Sequence, residues 1–252
     1  MKIEKEKQIT PAFLATTNIR GIARANGGEN RRGIDMNVCV LFSGGKDSML
    51  ATQLAITSGH QIKCLVSFKC DTNYLFDTIN LKFVEMAAQA MQIPLQEFEL
   101  GSGKDETLLC LHESLISLKK QFKIQGIVTG AQTPSGKSQL LERLCAELQL
   151  TCIHPLIGIK QHNVLYAALK NKYKVMIVKT DGYQQLLGQV LDEKTIEEHD
   201  SKTLEHAVDF GKGSIILDSP LFRKKIHVVE SESVHEGTIM KLLLTGMVLE
   251  NK

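Results

Sequence analysis

The residues best suited to chemistry form one short run, Ser43-Gly44-Gly45-Lys46-Asp47-Ser48, directly after the apolar segment Val38–Phe42. Glycines at such a turn let backbone N–H groups approach phosphate oxygens without an intervening Cβ atom. The N-terminus of a following helix adds partial positive charge at the same place. Lys46 supplies a full cation, and the hydroxyls of Ser43 and Ser48 can donate hydrogen bonds. The run therefore predicts a binding loop for the phosphates of a nucleotide.

Asp47 is the member of this run whose charge repels phosphate. A carboxylate beside a polyphosphate is favourable when a divalent cation lies between them, and Mg²⁺ prefers oxygen ligands. We therefore expect Asp47 to bind Mg²⁺, directly or through water. The competing explanation of the whole run is a simple strand–helix turn, in which glycines bend the chain and Ser or Asp caps the helix.

The surrounding pattern alternates short apolar runs with longer amphipathic stretches, which is typical of stacked βαβ units. It predicts five strands, Val38–Phe42, Ile62–Phe68, Leu95–Leu100, Gly126–Gly130 and Thr151–His154. It predicts helices between them, over Asp47–Ser58, Thr78–Met91, Glu106–Phe122 and Gln139–Leu148. These elements form an α/β fold with a five-stranded, doubly wound parallel sheet. In that sheet Gly130-Ala131, after the fourth strand, faces the same crevice as the phosphate loop.

Three regions are predicted along the chain. Residues 1–35 show no sustained period, and we expect a flexible N-terminal extension. Residues 36–155 contain the five strands and form the predicted nucleotide-binding domain. In residues 156–252 the alternation weakens: two helices, Asn163–Lys172 and a polar one near Glu193–His206, accompany short strands. This pattern favours a smaller α+β domain.

Composition excludes several function classes. The formal net charge is only +2, without the clustered basic face that nucleic acids or anionic membranes select. No apolar stretch approaches the roughly 20 residues of a membrane span. The six cysteines lie mostly in apolar runs and form no C-x-x-C pair, as is typical of free thiols in a reducing compartment. We expect a cytoplasmic protein that binds neither nucleic acid nor membrane; the sequence leaves a homodimer open.

The phosphate-loop hexapeptide matches the S-G-G-x-D-S mark of the PP-loop ATP pyrophosphatases, and it follows the first strand as in that superfamily. Within the superfamily the chain most resembles the diphthine–ammonia ligase family. The segments that carry this resemblance are Asn73-Tyr74-Leu75-Phe76, Gly130-Ala131 with Glu142 and Cys145, His154-Pro155-Leu156, Leu187-Gly188 with Leu191-Asp192, and Leu217–Phe222. The resemblance implies an adenine nucleotide α-hydrolase-like first domain and a second domain that binds the substrate.

The same resemblance implies an AMP-forming amide ligase that uses ATP and Mg²⁺. A carboxylate attacks the α-phosphate, pyrophosphate leaves, and ammonia from ammonium displaces AMP from the acyl adenylate. The expected acceptor is a protein similar to elongation factor 2, which carries diphthine in the family, or a small carboxylate. The residues implied in binding ATP are Ser43, Gly44, Gly45, Lys46, Asp47, Ser48, Gly130 and Ala131. Lys46 and Asp47 take the catalytic roles, and the implied substrate contacts are Tyr74, Asp77 and Glu142.

The chain departs from the family pattern in its acceptor half. An acidic cluster is missing from Ala207–Ser214, where Lys212 stands instead. Gly136-Lys137 and Leu140 occupy positions at which the family has Tyr-Gln and Arg, and the chain contains no Trp. These departures favour a divergent member. They also keep open a non-enzymatic nucleotide sensor that retained the ATP cleft and lost the acceptor site.

A second phosphate-binding pattern leaves another alternative open. Ala131–Ser138 fits a relaxed Walker A motif, with Ala131 in place of the first glycine. A P-loop NTPase that binds phosphate with Gly136-Lys137-Ser138 would cleave the γ-phosphate and release ADP.

Overall fold

The computed structural model describes residues 35–69, 80–101, 103–181, 183–194 and 211–252. In chain order its elements are β1 (Asn37–Leu41), α1 (Lys46–Thr57), β2 (Gln61–Lys69), α2 (Leu81–Met91), β3 (Leu95–Glu99), α3 (Lys104–Phe122), β4 (Gly126–Val128), α4 (Gly136–Glu147), β5 (Thr151–Ile153), α5 (Gln161–Lys170), β6 (Lys174–Asp181), a 3-10 turn (Gln184–Leu186), β7 (Val190–Leu191), β8 (Gly211–Asp218), β9 (Lys224–Glu236) and β10 (Ile239–Asn251). The start of the second predicted helix, before Asn80, and most of the predicted helix near Glu193–His206 lie outside the described residues.

The first sheet has the strand order β3-β2-β1-β4-β5, and every neighbouring pair is parallel. The chain moves outward from β1 to β3 on one side and from β4 to β5 on the other. The order therefore reverses between β1 and β4, which is where ligands bind in sheets of this kind. The predicted doubly wound parallel sheet is confirmed.

The central strands of this sheet are buried on both faces. Val38 and Val40 of β1 join one apolar cluster, whereas Cys39 and Leu41 join another. Helices α1, α2 and α5 cover the first face, and that cluster continues into β6, β8 and β10. Helices α3 and α4 cover the second face. Burial on both sides is the reason that the strands read as near-continuous apolar runs.

The C-terminal strands form an antiparallel sheet in the order β7-β6-β10-β9, and β8 pairs with β6. Strands β9 and β10 form a long hairpin whose turn contains Gly237 at φ +65°. This antiparallel sheet, together with helix α5, confirms the α+β architecture predicted for the C-terminal part of the fold. None of the described helices is long and apolar enough to cross a membrane.

Hydrogen bonds join the second sheet to the helices and loops beside the first sheet. The side-chain amide of Asn80 donates to the Leu242 carbonyl at 3.0 Å and accepts from the Leu244 N–H at 2.9 Å. Lys241 is the last residue of β10 that pairs with β6, and Leu242 and Leu244 lie just after it. On the other side, the Ile216 N–H of β8 donates to the Gly44 carbonyl at 3.1 Å. The second sheet therefore contacts the phosphate loop itself.

Candidate active site

The turn between β1 and α1 requires glycine at two successive positions, for different reasons. Gly44 has φ +76°, a conformation that residues with a Cβ atom rarely adopt. Gly45 has ordinary dihedral angles, but a Cβ atom there would lie 2.9 Å from the Ser214 carbonyl oxygen of β8. The first glycine thus permits the bend, and the second permits the close approach of the second sheet.

The hydroxyl of Ser48 holds this loop in shape. It donates to the Gly45 carbonyl at 3.1 Å, lies 3.3 Å from the Ser43 hydroxyl, and accepts from the Ser43 N–H at 3.4 Å. No side chain caps α1, whose N-cap residue is Gly45. The Lys46 N–H has only a long contact, 3.5 Å, with Ser214 Oγ of β8, so the N–H groups of the first turn remain available to an anion.

Lys46 and Asp47 form an ion pair at the start of α1. The Lys46 Nζ atom lies 3.0 and 3.1 Å from the two Asp47 carboxylate oxygens, and the lysine side chain is only 11% exposed. Asp47 Oδ1 also accepts a 2.6 Å hydrogen bond from Gln132 Nε2 of the loop after β4. The predicted catalytic pair is thus preformed, with each charge satisfied by the other until ligands replace these contacts.

The donors around Asp47 fit a hard divalent cation. Mg²⁺ binds oxygen, and in nucleotide sites it commonly takes one or two carboxylates together with phosphate oxygens and water. Asp47 supplies a carboxylate, and the Oε1 atom of the buried Gln132 has no hydrogen-bond partner among the described residues. Within the described ranges no group of three His, Cys, Asp or Glu residues is arranged for a metal ion. Nucleotide phosphates and water would therefore complete the coordination.

The loop after β4 lies against the phosphate loop. A Cβ atom on Gly130 would lie 2.8 Å from the Asp47 carbonyl carbon and 2.9 Å from the Ser48 nitrogen. The absence of a side chain at Gly130 is therefore what allows the two loops to touch. The two segments that the sequence assigned to one crevice are brought together.

A cavity of about 330 Å³ opens where the two loops meet. Its polar wall contains Ser43, Asp47, Ser48, Gly130 and Ala131, whereas Gly44, Gly45 and Lys46 belong to the same loop without lining the cavity. Its apolar wall contains Leu41, Val66, Phe68 and Leu111. A planar base suits the apolar wall, and phosphates suit the polar wall.

Residues of the Walker-like run, among them Ser135, Lys137 and Ser138, line the same cavity. Ser135 caps α4 by accepting from the Ser138 N–H at 3.2 Å, and Ser138 Oγ accepts from the Ser135 N–H at 2.8 Å. This capping box accounts for both serines without a phosphate. Lys137 lines the cavity, and no acidic partner is seen for it among the described residues. It adds a second cation to the site.

Sequence reasoning did not single out His154 and Thr129 as site residues, yet both line the cavity. The His154 Nδ1 and Thr129 Oγ1 atoms are 2.7 Å apart. Glu142, an expected substrate contact, does not line the cavity; its Oε1 atom lies 3.1 Å from His154 Nε2. Tyr74 and Asp77, the other two expected contacts, lie outside the described residues.

Thiols lie beneath this cavity on the second face of the sheet. Cys39 and Cys64 are opposite each other on β1 and β2, and both are fully buried. A hydrogen bond with Cys64, together with burial, raises the pKa of Cys39 well above its ordinary value. The described cysteines are all free, as the sequence predicted. Their buried thiols act as small apolar side chains in this face of the core.

Comparison with known proteins gives concordant results. The family model for the diphthamide synthase N-terminal domain matches residues 36–152, and the model for the diphthamide synthase C-terminal domain matches residues 161–244. The diphthine–ammonia ligase of Rattus norvegicus is 28% identical over 254 aligned positions, which cover 86% of this chain and 94% of the relative. The diphthine–ammonia ligase of Homo sapiens is also 28% identical, with 79% of this chain and 85% of the relative covered.

Among solved structures, a predicted subunit of a tRNA methyltransferase from Methanocaldococcus jannaschii is similar to this chain at 16% identity and a TM-score of 0.43. The match covers 73% of this chain and 98% of that one.

Proposed function

The chain belongs to the diphthamide synthase family, and we propose that it makes an amide from a carboxylate through an acyl adenylate, releasing AMP and pyrophosphate. Members of this family are ATP-dependent ligases, and this chain is one of them. The observation that carries the proposal is a shared cavity, in which the phosphate loop and Gly130-Ala131 form one polar wall. As acceptor we propose diphthine on elongation factor 2, because the relatives are named diphthine–ammonia ligases.

The phosphate loop suits the first half of this reaction. The acceptor carboxylate attacks the α-phosphorus, and negative charge builds on the departing pyrophosphate. The uncapped N–H groups of α1 and the Lys46 ammonium are positioned to neutralise that charge. Mg²⁺ held by Asp47 would supply further positive charge to the phosphates when bound. The chain's contribution is thus position and charge, since little covalent chemistry falls to the protein in phosphoryl transfer.

The Lys46–Asp47 ion pair must be exchanged when the nucleotide binds. In the free site each charge is satisfied by the other, which limits the cost of burying Lys46. A magnesium nucleotide offers Asp47 a cation and Lys46 an anion at the same time. The exchange therefore leaves neither charge unpaired, and it couples nucleotide binding to metal binding.

The second sheet reaches the phosphate loop from the face of the parallel sheet opposite the apolar wall of the cavity. We propose that residues 36–155 bind ATP, that residues 156–252 bind the acceptor, and that residues 1–35 are an extension outside both. Two features support this division. The proposed phosphate site lies at the carboxyl ends of β1 and β4 in the first sheet, and β8 of the second sheet reaches that site at Gly44 and Gly45. Neither nucleic acid nor a membrane takes part in the proposed reaction.

One assay tests the proposal against its alternatives. The protein is incubated with ATP, Mg²⁺, ammonium and elongation factor 2 that carries diphthine, and the nucleotide products are separated. We expect continuous turnover to AMP and pyrophosphate only when both ammonium and acceptor are present. ADP and phosphate would instead indicate γ-phosphate cleavage by the Gly136-Lys137-Ser138 loop. Tight ATP binding without turnover would indicate a nucleotide sensor, and either result overturns the ligase proposal.

A further inference from the structure

We propose that Thr129, His154 and Glu142 form a proton relay that converts ammonium to ammonia for attack on the activated acyl group. The relay rests on the proposed function, because it serves the second half of that reaction. Ammonium predominates at neutral pH, and it has no lone pair with which to attack a carbonyl carbon. A ligase that draws on ammonium therefore needs a group that accepts a proton beside the acyl adenylate.

The three side chains lie in the order hydroxyl, imidazole, carboxylate. Thr129 Oγ1 is 2.7 Å from His154 Nδ1, and His154 Nε2 is 3.1 Å from Glu142 Oε1. Both distances are short enough for proton transfer through hydrogen bonds. The same order of groups activates the hydroxyl in serine hydrolases, with a carboxylate that stabilises the imidazolium.

The neighbours of these groups favour one tautomer of the neutral imidazole. A carboxylate only accepts, so His154 Nε2 must carry the hydrogen that Glu142 receives. His154 Nδ1 is then the acceptor, and the Thr129 hydroxyl donates to it. The Ala131 N–H occupies another site on Thr129 Oγ1, at 3.2 Å. Thr129 Oγ1 keeps one acceptor site, and it lines the cavity where a substrate proton can reach it.

The relay begins beside the phosphate site and ends at solvent. Thr129 directly precedes Gly130, which lies against Asp47 and Ser48 of the phosphate loop. Thr129 and the His154 side chain are only 7% and 11% exposed, whereas the Glu142 side chain is 51% exposed. A proton that enters the cavity end can therefore leave at Glu142, away from the nucleotide.

Other charged or titratable groups surround the imidazole on each side. Cys152, on the same strand, has its Sγ atom 3.4 Å from His154 Nε2. Cys145 and Glu142 lie on α4. Asp47 and Lys137 line the same cavity as His154. Glu142 is the acidic partner in direct contact with the imidazole among the described residues, so it is the group that stabilises the imidazolium.

The chemical step balances as follows. Ammonium passes a proton to Thr129 Oγ1 while Thr129 passes its own proton to His154 Nδ1. The ammonia formed attacks the acyl carbon, and the bond from that carbon to the AMP oxygen breaks with its electron pair leaving on AMP. The nitrogen loses its remaining excess proton to solvent as the amide forms. His154 returns its proton to solvent along the Glu142 side.

The test compares two nucleophiles on the full-length protein, with ATP, Mg²⁺ and elongation factor 2 carrying diphthine. Hydroxylamine is neutral at pH 7.5 and needs no base, whereas ammonium does. Thr129→Val and His154→Gln should lower the ammonium-dependent kcat/KM by about 10²-fold, within the range of general base catalysis. The same variants should lower hydroxamate formation and ATP–pyrophosphate exchange far less than they lower the ammonium reaction.

Three further measurements make the test specific. Thr129→Ser keeps the hydroxyl and should restore the ammonium reaction. Glu142→Gln changes a half-exposed side chain, so it tests the relay even where a buried variant fails to fold; it should lower only the ammonium reaction. In His154→Gln the residual ammonium rate should rise with pH in proportion to free ammonia, more steeply than in the wild type.

The outcomes separate the two proposals. Equal losses with both nucleophiles would show that the three residues only hold the β4 loop in place, and unchanged ammonium rates would show that no relay operates. Either result overturns the relay and leaves the ligase proposal intact. If the wild type forms no AMP with either nucleophile, the proposed function fails and the relay fails with it.

Discussion

The two faces of the parallel sheet differ in how completely they are packed. On the first face, α1, α2, α5 and the second sheet form one continuous apolar cluster that includes fully buried Phe83 and Leu169. On the second face, α3 and α4 cover small thiol side chains, and the packing gives way to the cavity at the carboxyl ends of β1 and β4. The same strands thus present one continuously packed face and one face that opens into the candidate site. Stability and function should respond to different substitutions.

The largest effect is expected from Lys46→Ala in the phosphate loop, beside the cavity. Removal of the ammonium leaves charge on the departing pyrophosphate uncompensated, and we expect kcat/KM for AMP formation to fall by about 10²–10³-fold. The thermal midpoint should change little. Lys63→Ala, which removes a half-buried lysine of β2 outside the cavity lining, is the control. If Lys137→Ala abolishes nucleotide binding and Lys46→Ala does not, the phosphates lie at the other loop.

Leu169→Ala tests the continuously packed face. Leu169 is fully buried on α5, and truncation of such a side chain should lower the free energy of unfolding by about 2–5 kcal/mol. Urea denaturation measures the loss, and ATP affinity of the folded protein should stay at the wild-type value. Leu109→Ala on α3, where the side chain is 57% exposed, should change stability little. A large change in ATP affinity in Leu169→Ala would contradict the separation of the two faces.

Gly130→Ala should weaken ATP binding through overpacking between the two loops. The added methyl group would lie 2.8 Å from the Asp47 carbonyl carbon, so one loop must shift, at about 1–3 kcal/mol. Calorimetric titration should show a roughly tenfold to hundredfold larger Kd, since about 1.4 kcal/mol corresponds to tenfold. At Gly103 a Cβ atom meets nothing within 4 Å, which makes Gly103→Ala the control. Equal Kd values in both variants would mean that the two loops do not confine the nucleotide.

Asn80→Ala tests the junction between the sheets. The substitution removes two hydrogen bonds and leaves backbone groups at Leu242 and Leu244 without these partners, at about 1–3 kcal/mol. We expect a lower free energy of unfolding, measured in urea. Asn80→Asp keeps an oxygen that can accept from the Leu244 N–H, so its free energy of unfolding should fall less. Wild-type stability in Asn80→Ala would show that water replaces the amide.

The smallest effect is expected from removal of residues 1–35. A chain that begins at Met36 retains β1 and every described element after it. It should therefore fold and bind ATP with the wild-type Kd, as circular dichroism and calorimetry would show. Loss of both properties would contradict the proposed division of the chain.

Local patterns were sufficient to predict the parallel sheet and the tight turn between its first strand and helix. Helix α1 begins at Lys46, one residue before the predicted start, because Gly45 serves as its N-cap. Strand β4 ends at Val128, two residues before the predicted end at Gly130, because the chain turns there to lie against the phosphate loop. Periodicity marks where an apolar run occurs, but tertiary contacts decide where the backbone leaves the sheet.

The pairing of Thr129 with His154 could not be predicted from local pattern, because it depends on register. Val128 of β4 is opposite Ile153 of β5. Thr129 and His154, which directly follow them, therefore lie next to each other just beyond the sheet. Likewise, the approach of Ser214 to Gly45 joins segments that are far apart in sequence. Both contacts follow from the assembled fold and have no signature in either segment alone.

The hydrogen bond from Ile216 of β8 to Gly44 has a thermodynamic consequence. The backbone of the proposed phosphate loop also anchors the second sheet, so if ATP binds there, a ligand that displaces β8 must change the affinity for ATP. Linkage requires the effect to be reciprocal: ATP must alter the affinity for that ligand by the same factor. Binding of the acceptor and binding of the nucleotide would then be coupled through the peptide group of Gly44.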